Sequence, residues 1–513
     1  LGYSAAAIGN HELDYGPEGL RRMIEGAGES RIPLLLANVN FAPDDPSDDG
    51  LEALYGPQGQ AGKAIHPYVV LSSPLGQRVG VFGLMGLDAA AVSNAAPLYF
   101  SRNMEEMAKT AQGIVHTLRD EHKVDLVIAL AHLGVDRDAG GAYTGESIEL
   151  ARQVEGIDVL MSGHLHTVMD NATEVACEKE GSTWSTLVME AGSYRKHLGE
   201  YTIQRRAGAL SRSGRSVPIT DQIASEASAA ALLEGLKSDV EQNVLTQFPV
   251  QPAAGAFLDG ALFQALTSSD FDILRYDFDN NNLTNLAADA MRDATGVQVA
   301  VASNGGDVRE SLLRVGSGTF SVADTFIVTP LGNGPDQRIG YPLVRFYMTL
   351  FEMKLVLEAT LCDAGLSSND YMLGFSGMRV VYDSSQPPFA RIRSIELYEQ
   401  MDETGDVTTL FDVAQGGFSV DANSTLIHVC TSSYIAQFLA SFNLTPKDAS
   451  AQPVSSLSDI IARNPDGSEI KLWYVLQQRL AGFEPKVPLQ YSDEGNPLGP
   501  YWRRAWDLAR HPR

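Results

Sequence analysis

The sequence predicts an α/β protein of two domains. Three observations carry that prediction: apolar runs of strand length that end in polar clusters, amphipathic helical stretches between them, and a length of 513 residues, more than one hydrophobic core usually supports. Ala5-Ala6-Ala7-Ile8 leads into Gly9-Asn10-His11-Glu12-Leu13-Asp14, the pattern of a buried strand opening into a loop. Segments 32–39 and 78–84 read as further buried strands, and 44–62, rich in Pro, Gly and acid, as a surface excursion. A helix over 104–121 precedes a strand over 124–131, which ends in His132-Leu133-Gly134. Another strand, 157–161, ends in Ser162-Gly163-His164-Leu165-His166. Beyond 201–203 the pattern decays into a polar connection across 205–215.

Leu232, Leu233, Leu236, Val240 and Val244 then fall at helical spacing between charged residues, which predicts an amphipathic helix joining the domains. The expected division is 1–218, 219–246 and 247–513. In the last part Leu283, Leu286, Ala287, Ala290, Met291 and Ala294 define one helix face, with Gly296 as its stop. A strand over 297–302 ends in Ser303-Asn304-Gly305-Gly306-Asp307-Val308-Arg309.

The polar clusters point to chemistry because ligands bind α/β sheets beyond the carboxyl ends of strands. Asn10 offers a neutral oxygen, and Asp14 is close enough in sequence to orient the ring of His11. A lone histidine after a strand is more often a satisfied structural residue than a ligand. Two histidines at i, i+2 in a glycine turn are a better signal, because alternate residues of an extended segment share a side. Three such clusters ending buried strands are what a shared metal site requires, and imidazole with amide oxygen suits Zn, Mn, Fe or Ni. Paired glycines at Gly305 and Gly306 permit close backbone approach to a ligand, and Arg309 offers a planar fork for phosphate or carboxylate. Asn-Gly-Gly is also ordinary turn chemistry.

Composition excludes some partners. A net charge of −26 disfavours nucleic-acid backbones and anionic membrane surfaces. No apolar run reaches the roughly 18 residues of a membrane helix. Cys177, Cys362 and Cys430 form neither a metal pattern nor a disulfide framework.

On these residues the chain resembles the calcineurin-like metallophosphoesterases of the 5′-nucleotidase branch, which join a metallophosphatase domain to a characteristic C-terminal domain. The resemblance implies an α/β sandwich followed by a mixed α/β substrate-binding domain. It also implies hydrolysis of a phosphate monoester, most readily of a nucleotide, by in-line attack of a hydroxide held between two divalent ions such as Zn or Mn. By the same resemblance Asn10, His132 and His164 are ligands of one metal and His166 of the other, while His11 and Asp14 form the catalytic dyad. The family's remaining ligands come from Asp-x-His and Gly-Asp segments ahead of its Asn-His-Glu, so the native chain is expected to extend upstream and a chain starting at Leu1 to be inactive. The resemblance further implies a periplasmic or secreted protein; oligomeric state is left open.

Asn304, Gly305, Gly306 and Arg309 match the family's Asn-Gly-Gly-x-Ile-Arg segment, and Asn333 and Phe375 lie in two further matching segments, which implies substrate contacts for all six. Asp307 departs by placing an acid where a small residue is common. A larger departure is the absence of the family's Gly-Gly-Asp-Gly-Tyr-like segment, one half of its base sandwich. Ser432 to Phe442 reads here as an uninterrupted helical stretch, with Phe438 and Phe442 at core-packing spacing. Segments 340–345 and 375–379 also look like those of the sulfur-oxidation thiohydrolases, dimanganese members of the superfamily. A non-catalytic nucleotide- or anion-binding protein on the same scaffold is the third alternative.

Overall fold

The computed structural model describes residues 2–28, 32–206, 209–220, 222–249, 262–275, 282–314, 318–361, 372–399, 406–492 and 504–509. It divides into two compact units, Leu1–Ala229 and Ala230–Arg513. Both mix helices and sheets, as the α/β reading expects.

The two larger sheets of the first unit carry its polar clusters. Short strands β1 (Ala6–Ala7), β2 (Leu34–Leu35) and β3 (Ile65–His66) form a parallel three-stranded sheet. Strands β4 (Tyr68–Ser72), β5 (Arg78–Met85), β6 (Leu126–His132), β7 (Val159–Ser162), β8 (Thr173–Ala176) and β9 (Ser185–Glu190) form a second sheet in the order β8-β9-β7-β6-β5-β4. Its four central strands are parallel and its two edge strands antiparallel. Both faces of β6 are covered, which is why its sequence reads as one apolar run. Val127, Ala129 and Ala131 belong to the core beneath helix α1 (Met104–His116), whereas Ile128 and Leu130 pack with Leu35, Val69 and Val81 towards the smaller sheet. Asn103 caps α1 by accepting the Glu106 N–H, and beyond His116 the chain widens into a single π-type turn, Thr117–Glu121.

The polar connection expected over 205–215 is instead part of a long hairpin. Strand β10 (His197–Arg206) pairs antiparallel with β11 (Ala209–Pro218), from His197 opposite Pro218 to Arg206 opposite Ala209. Hydrophobic pattern hides this strand because polar bonds hold it: the Arg212 guanidinium donates to the carbonyls of Asp158 and Ser185 and to Glu174.

Helix α2 (Ala227–Asn243), which begins at the end of the first unit and runs into the second, has no buried residue. Helix α3 (Asn282–Thr295) is stopped by Gly296 at φ +65°, a left-handed position suited to glycine. It packs on a four-stranded sheet of β12 (Val299–Asn304), β13 (Leu343–Thr349), β14 (Met372–Ser376) and β19 (Leu426–Ser432), in the order β13-β19-β12-β14. A five-stranded sheet follows from β15 (Met378–Tyr382), β16 (Ile392–Tyr398), β17 (Val407–Asp412), β18 (Gly417–Phe418) and β20 (Ala505–Asp507). After β19 the expected continuous helix is a short α-helix, Ser433–Gln437, that tightens into a 3₁₀ run, Phe438–Phe442. Cys177 and Cys430 are free thiols, both buried; Cys362 lies outside the described residues. Among the described residues no helix is long and apolar enough to cross a membrane.

Candidate active site

Three strand ends bring the first unit's polar clusters together. The register pairs Met85 with His132 and Ala131 with Ser162, so β5, β6 and β7 finish side by side. Asn10 lies in the turn Asn10–Leu13 just after β1, where the Gly9 N–H donates to Glu12 at 2.7 Å. Asn10 is 4% exposed, and the His132 Nε2 is 2.8 Å from its Oδ1. Gly9 permits this approach, since a Cβ there would stand 2.9 Å from the His132 ring. The rings of His132 and His164 are 5.1 Å apart.

Burial, followed by the neighbouring charges of His164, His11 and His166, pushes the His132 imidazole down to about 3. His132 is therefore neutral through the physiological range, the form that ligates metals. His164 and His166 have φ of +107° and +61°, and such backbone strain concentrates at functional sites. His164 Nε2 meets Asp88 Oδ2 at 2.8 Å, and that bond holds the Asp88 carboxyl below its ordinary range. His11 Nδ1 lies 3.1 and 3.2 Å from the two Asp14 oxygens. The His11 side chain is 38% exposed and that of Asp14 14%, so the ring is open to solvent while its partner is enclosed.

An amide oxygen and neutral imidazoles are donors that Zn or Mn accepts. Among the described residues, no three His, Cys, Asp or Glu side chains converge as a closed coordination group. The donor chemistry fits a divalent ion, and the donors present supply part of a shell.

Sequence reading missed two carboxylates behind these histidines. Glu190, 1% exposed at the end of β9, accepts the Val135 N–H at 2.7 Å, the Thr167 N–H at 3.1 Å and the Ser162 hydroxyl at 3.1 Å. One buried carboxylate thereby fastens the loop after His132 to both ends of the His164–His166 segment. Its burial pushes its carboxyl above the ordinary range. Glu146 does the same for the end of β5, accepting the N–H groups of Leu87 and Asp88. The only signal in the sequence was an acid closing the apolar run Ser-Thr-Leu-Val-Met-Glu.

In the second unit the turn after β12 closes on itself. Asp307 accepts the Ser303 N–H, the Ser303 hydroxyl accepts the Asp307 N–H, and the Gly305 N–H donates to the Val308 carbonyl, each at 2.9 Å. The acid that departs from the family pattern is thus used within the turn. Arg309 donates to the Gly305 carbonyl at 2.5 Å. Asn304, Gly305 and Gly306 are buried and Arg309 is partly buried. Asn333 is partly buried and bridges to Ile339.

Phe375 is fully buried in the hydrophobic core, with its N–H donated to Asn285. Aromatic surface near the turn comes from elsewhere. Tyr341 and Tyr434 stack at 5.3 Å, Phe438 meets Tyr434 edge-on at 5.2 Å, and a Cβ at Gly306 would stand 2.7 Å from the Tyr434 ring. These rings come from segments far apart in the chain, which no local pattern connects.

The family model for the 5′-nucleotidase C-terminal domain matches residues 260–442. The chain is 28% identical over 357 residues to the trifunctional nucleotide phosphoesterase protein YfkN of Bacillus subtilis, covering 65% of this chain and 22% of that protein. It is 27% identical over 368 residues to protein UshA of Yersinia enterocolitica, covering 65% of this chain and 59% of that protein. The chain thus spans less than two thirds of the length of either relative. Its fold matches a 5′-nucleotidase precursor from Thermus thermophilus with a TM-score of 0.63 at 24% identity, over 95% of this chain and 82% of that one. The sulfate thiohydrolase SoxB from the same genus matches with a TM-score of 0.58 at 17% identity, over 94% and 70%. Residues 260–442, within the second unit, thus match the 5′-nucleotidase C-terminal domain, and the chain as a whole is similar to these proteins in sequence and shares the fold of the solved 5′-nucleotidase.

Proposed function

We propose that the native protein is a metal-dependent phosphate monoester hydrolase acting on nucleotides, in which the first unit does the chemistry and the second binds substrate, with 219–246 as the linker. The observation that carries this reading is the meeting of Asn10, His132 and His164 at adjoining strand ends, beside the His11–Asp14 pair. Asn10, His132 and His164 would hold one divalent ion and His166 would belong to the other. Two such ions supply charge neutralisation at phosphorus and an activated water.

The remaining work falls to the chain itself. Asp14 holds the His11 ring by Nδ1, which leaves Nε2 for a phosphoryl or leaving-group oxygen. The solvent-open position of His11 suits a group that must meet substrate, and the buried position of Asn10 and His132 suits groups that must not move. Glu190 and Glu146 keep the strand-end loops in place through bonds to backbone N–H groups. In the second unit Asn304, Gly305, Gly306, Arg309 and Asn333 would contact the part of the nucleotide away from the scissile phosphate. Phe375, enclosed in the core, is better read as packing. A periplasmic or secreted location follows from the family resemblance alone.

The test is hydrolysis by the native protein, supplied with Zn or Mn, of a panel of nucleoside monophosphates, a dinucleotide, a cyclic nucleotide and a protein-linked thiosulfonate. Release of phosphate from the monophosphates supports the proposal. Turnover of the thiosulfonate alone would assign the chain to thiohydrolase chemistry, which the shared SoxB fold accommodates.

A further inference from the structure

Asp88 makes a contact that folding does not call for. It lies in the first turn of the short helix Leu87–Ala91, just beyond β5, and its side chain is 53% exposed. An acid at such a place ordinarily faces water. This one meets Nε2 of His164 at 2.8 Å, across 76 residues of sequence, and the His164 side chain is only 11% exposed. An ion pair with a half-exposed member adds little to stability.

Both partners are placed for the contact. The Gly86 N–H donates to the His132 carbonyl at 2.9 Å, which ties the end of β5 to the end of β6. A Cβ at Gly86 would stand 2.9 Å from that carbonyl oxygen and 2.7 Å from Glu146 Oε2, so glycine alone permits the approach. Glu146 then accepts the N–H groups of Leu87 at 2.8 Å and Asp88 at 3.0 Å, fixing the backbone that carries Asp88. Opposite, His164 is held at φ +107°, a conformation that costs a residue other than glycine. Strain kept at a histidine points to a ring whose direction matters.

The chemistry of the pair says which direction. A carboxylate only accepts hydrogen bonds, so Nε2 of His164 carries the hydrogen and Nδ1 keeps the lone pair that a metal requires. The ring lies 5.1 Å from that of His132, within the same cluster. We infer that Asp88 is a positioning residue, which fixes the Nε2–H tautomer of His164 and makes Nδ1 its ligating nitrogen. Such a carboxylate also raises the basicity of the ligating nitrogen. The inference rests on the reading of His164 as a metal ligand.

The test has two arms, both on the native protein. In the first, metal-free wild type, D88A and D88N carry isotope-labelled histidine, and nitrogen NMR at about pH 8, above the ordinary histidine pKa, reads the tautomer of each ring. The His164 signal is the one lost in H164A. Wild type should hold His164 as the Nε2–H tautomer, D88A should show a mixture, and D88N, whose side-chain oxygen still accepts, should keep the wild-type form. In the second arm, chelator competition measures Zn affinity. D88A should bind about 10- to 100-fold more weakly and D88N should lose less, with melting temperatures near that of wild type. An Nδ1–H tautomer in wild type, or an unchanged tautomer in D88A, would overturn the inference. So would equal losses of Zn affinity in D88A and D88N, which would make Asp88 a ligand itself. A tautomer and Zn affinity that depend on Asp88, in a protein that cleaves no phosphate ester, would support the inference and count against the proposed function. Nucleotide turnover by a D88A protein of wild-type Zn affinity would do the reverse.

Discussion

Two polar turns follow buried strands, one at 162–167 in the first unit and one at 303–309 in the second, and they treat their polar atoms in opposite ways. In the first, a carboxylate from another strand holds the backbone, and the side chains of His164 and His166 face neighbouring side chains from left-handed positions. In the second, Ser303, Asp307 and Arg309 bond to the turn itself. The contrast separates a turn whose frame is supplied from outside, leaving its side chains for chemistry, from a turn that spends its side chains on its own frame. Motif matching alone does not distinguish them.

The largest expected effect lies in the second unit, where a buried ion pair carries much of the frame. Arg504 donates to both oxygens of Asp289 at 2.7 and 2.9 Å, and the Tyr491 hydroxyl donates to the same carboxylate at 2.8 Å. Asp289→Asn leaves Arg504 buried without its counter-ion and should destabilise this unit by about 3–5 kcal/mol, read from urea unfolding. A loss within about 0.5 kcal/mol, the range of ordinary surface substitutions, would show that the pair is dispensable. Burial alone would raise the Asp289 carboxyl, but the charge and hydrogen bonds of Arg504, aided by Ser376, hold it below the ordinary value. A depressed folded pKa gives stability that is complete above the unfolded value of about 3.9 and lost as pH falls through the folded one. The second unit should therefore hold its stability down to about pH 4 and lose this contribution below it. Asp289→Asn should flatten that part of the acid-unfolding curve, and an unaltered curve would contradict the assignment.

Next in size is the carboxylate behind the histidines. Glu190→Ala removes the acceptor for two N–H groups and a hydroxyl, and should weaken metal affinity about 10- to 100-fold, as losing an outer partner of a metal site does. Glu190→Gln keeps one acceptor oxygen and should lose less. Equal metal affinity in Glu190→Ala and wild type, measured by chelator competition, would reduce Glu190 to a packing residue.

The smallest effect belongs to the self-bonded turn. Arg309→Ala should lower kcat/KM for a nucleoside monophosphate by about 10-fold, the lower end for a charge-assisted contact, because Arg309 is already partly engaged by Gly305. If kcat/KM is unchanged, the turn serves the fold alone.

How much could be read in advance follows the same division. The strands that deliver His132 and His164 were legible because both faces are buried and the sequence is apolar throughout. Helix α3 and its stop at Gly296 were legible from spacing and one left-handed glycine. Strand β11 was not, since the bonds of Arg212 and the backbone ladder hold it without an apolar face. Glu190 and the Tyr341–Tyr434 stack depend on contacts between segments far apart in sequence, and Phe375, chosen by motif, is enclosed by packing that the motif does not encode.

The central claim is that His11 acts on substrate while Asn10, His132 and His164 hold metal. The most direct test measures bound Zn or Mn beside nucleotide turnover in the native protein for wild type, His11→Ala and His164→Ala. His11→Ala should keep its metal and lose turnover on the order of 10²-fold or more, and His164→Ala should lose metal and activity together. Loss of metal from His11→Ala as complete as from His164→Ala would contradict the account.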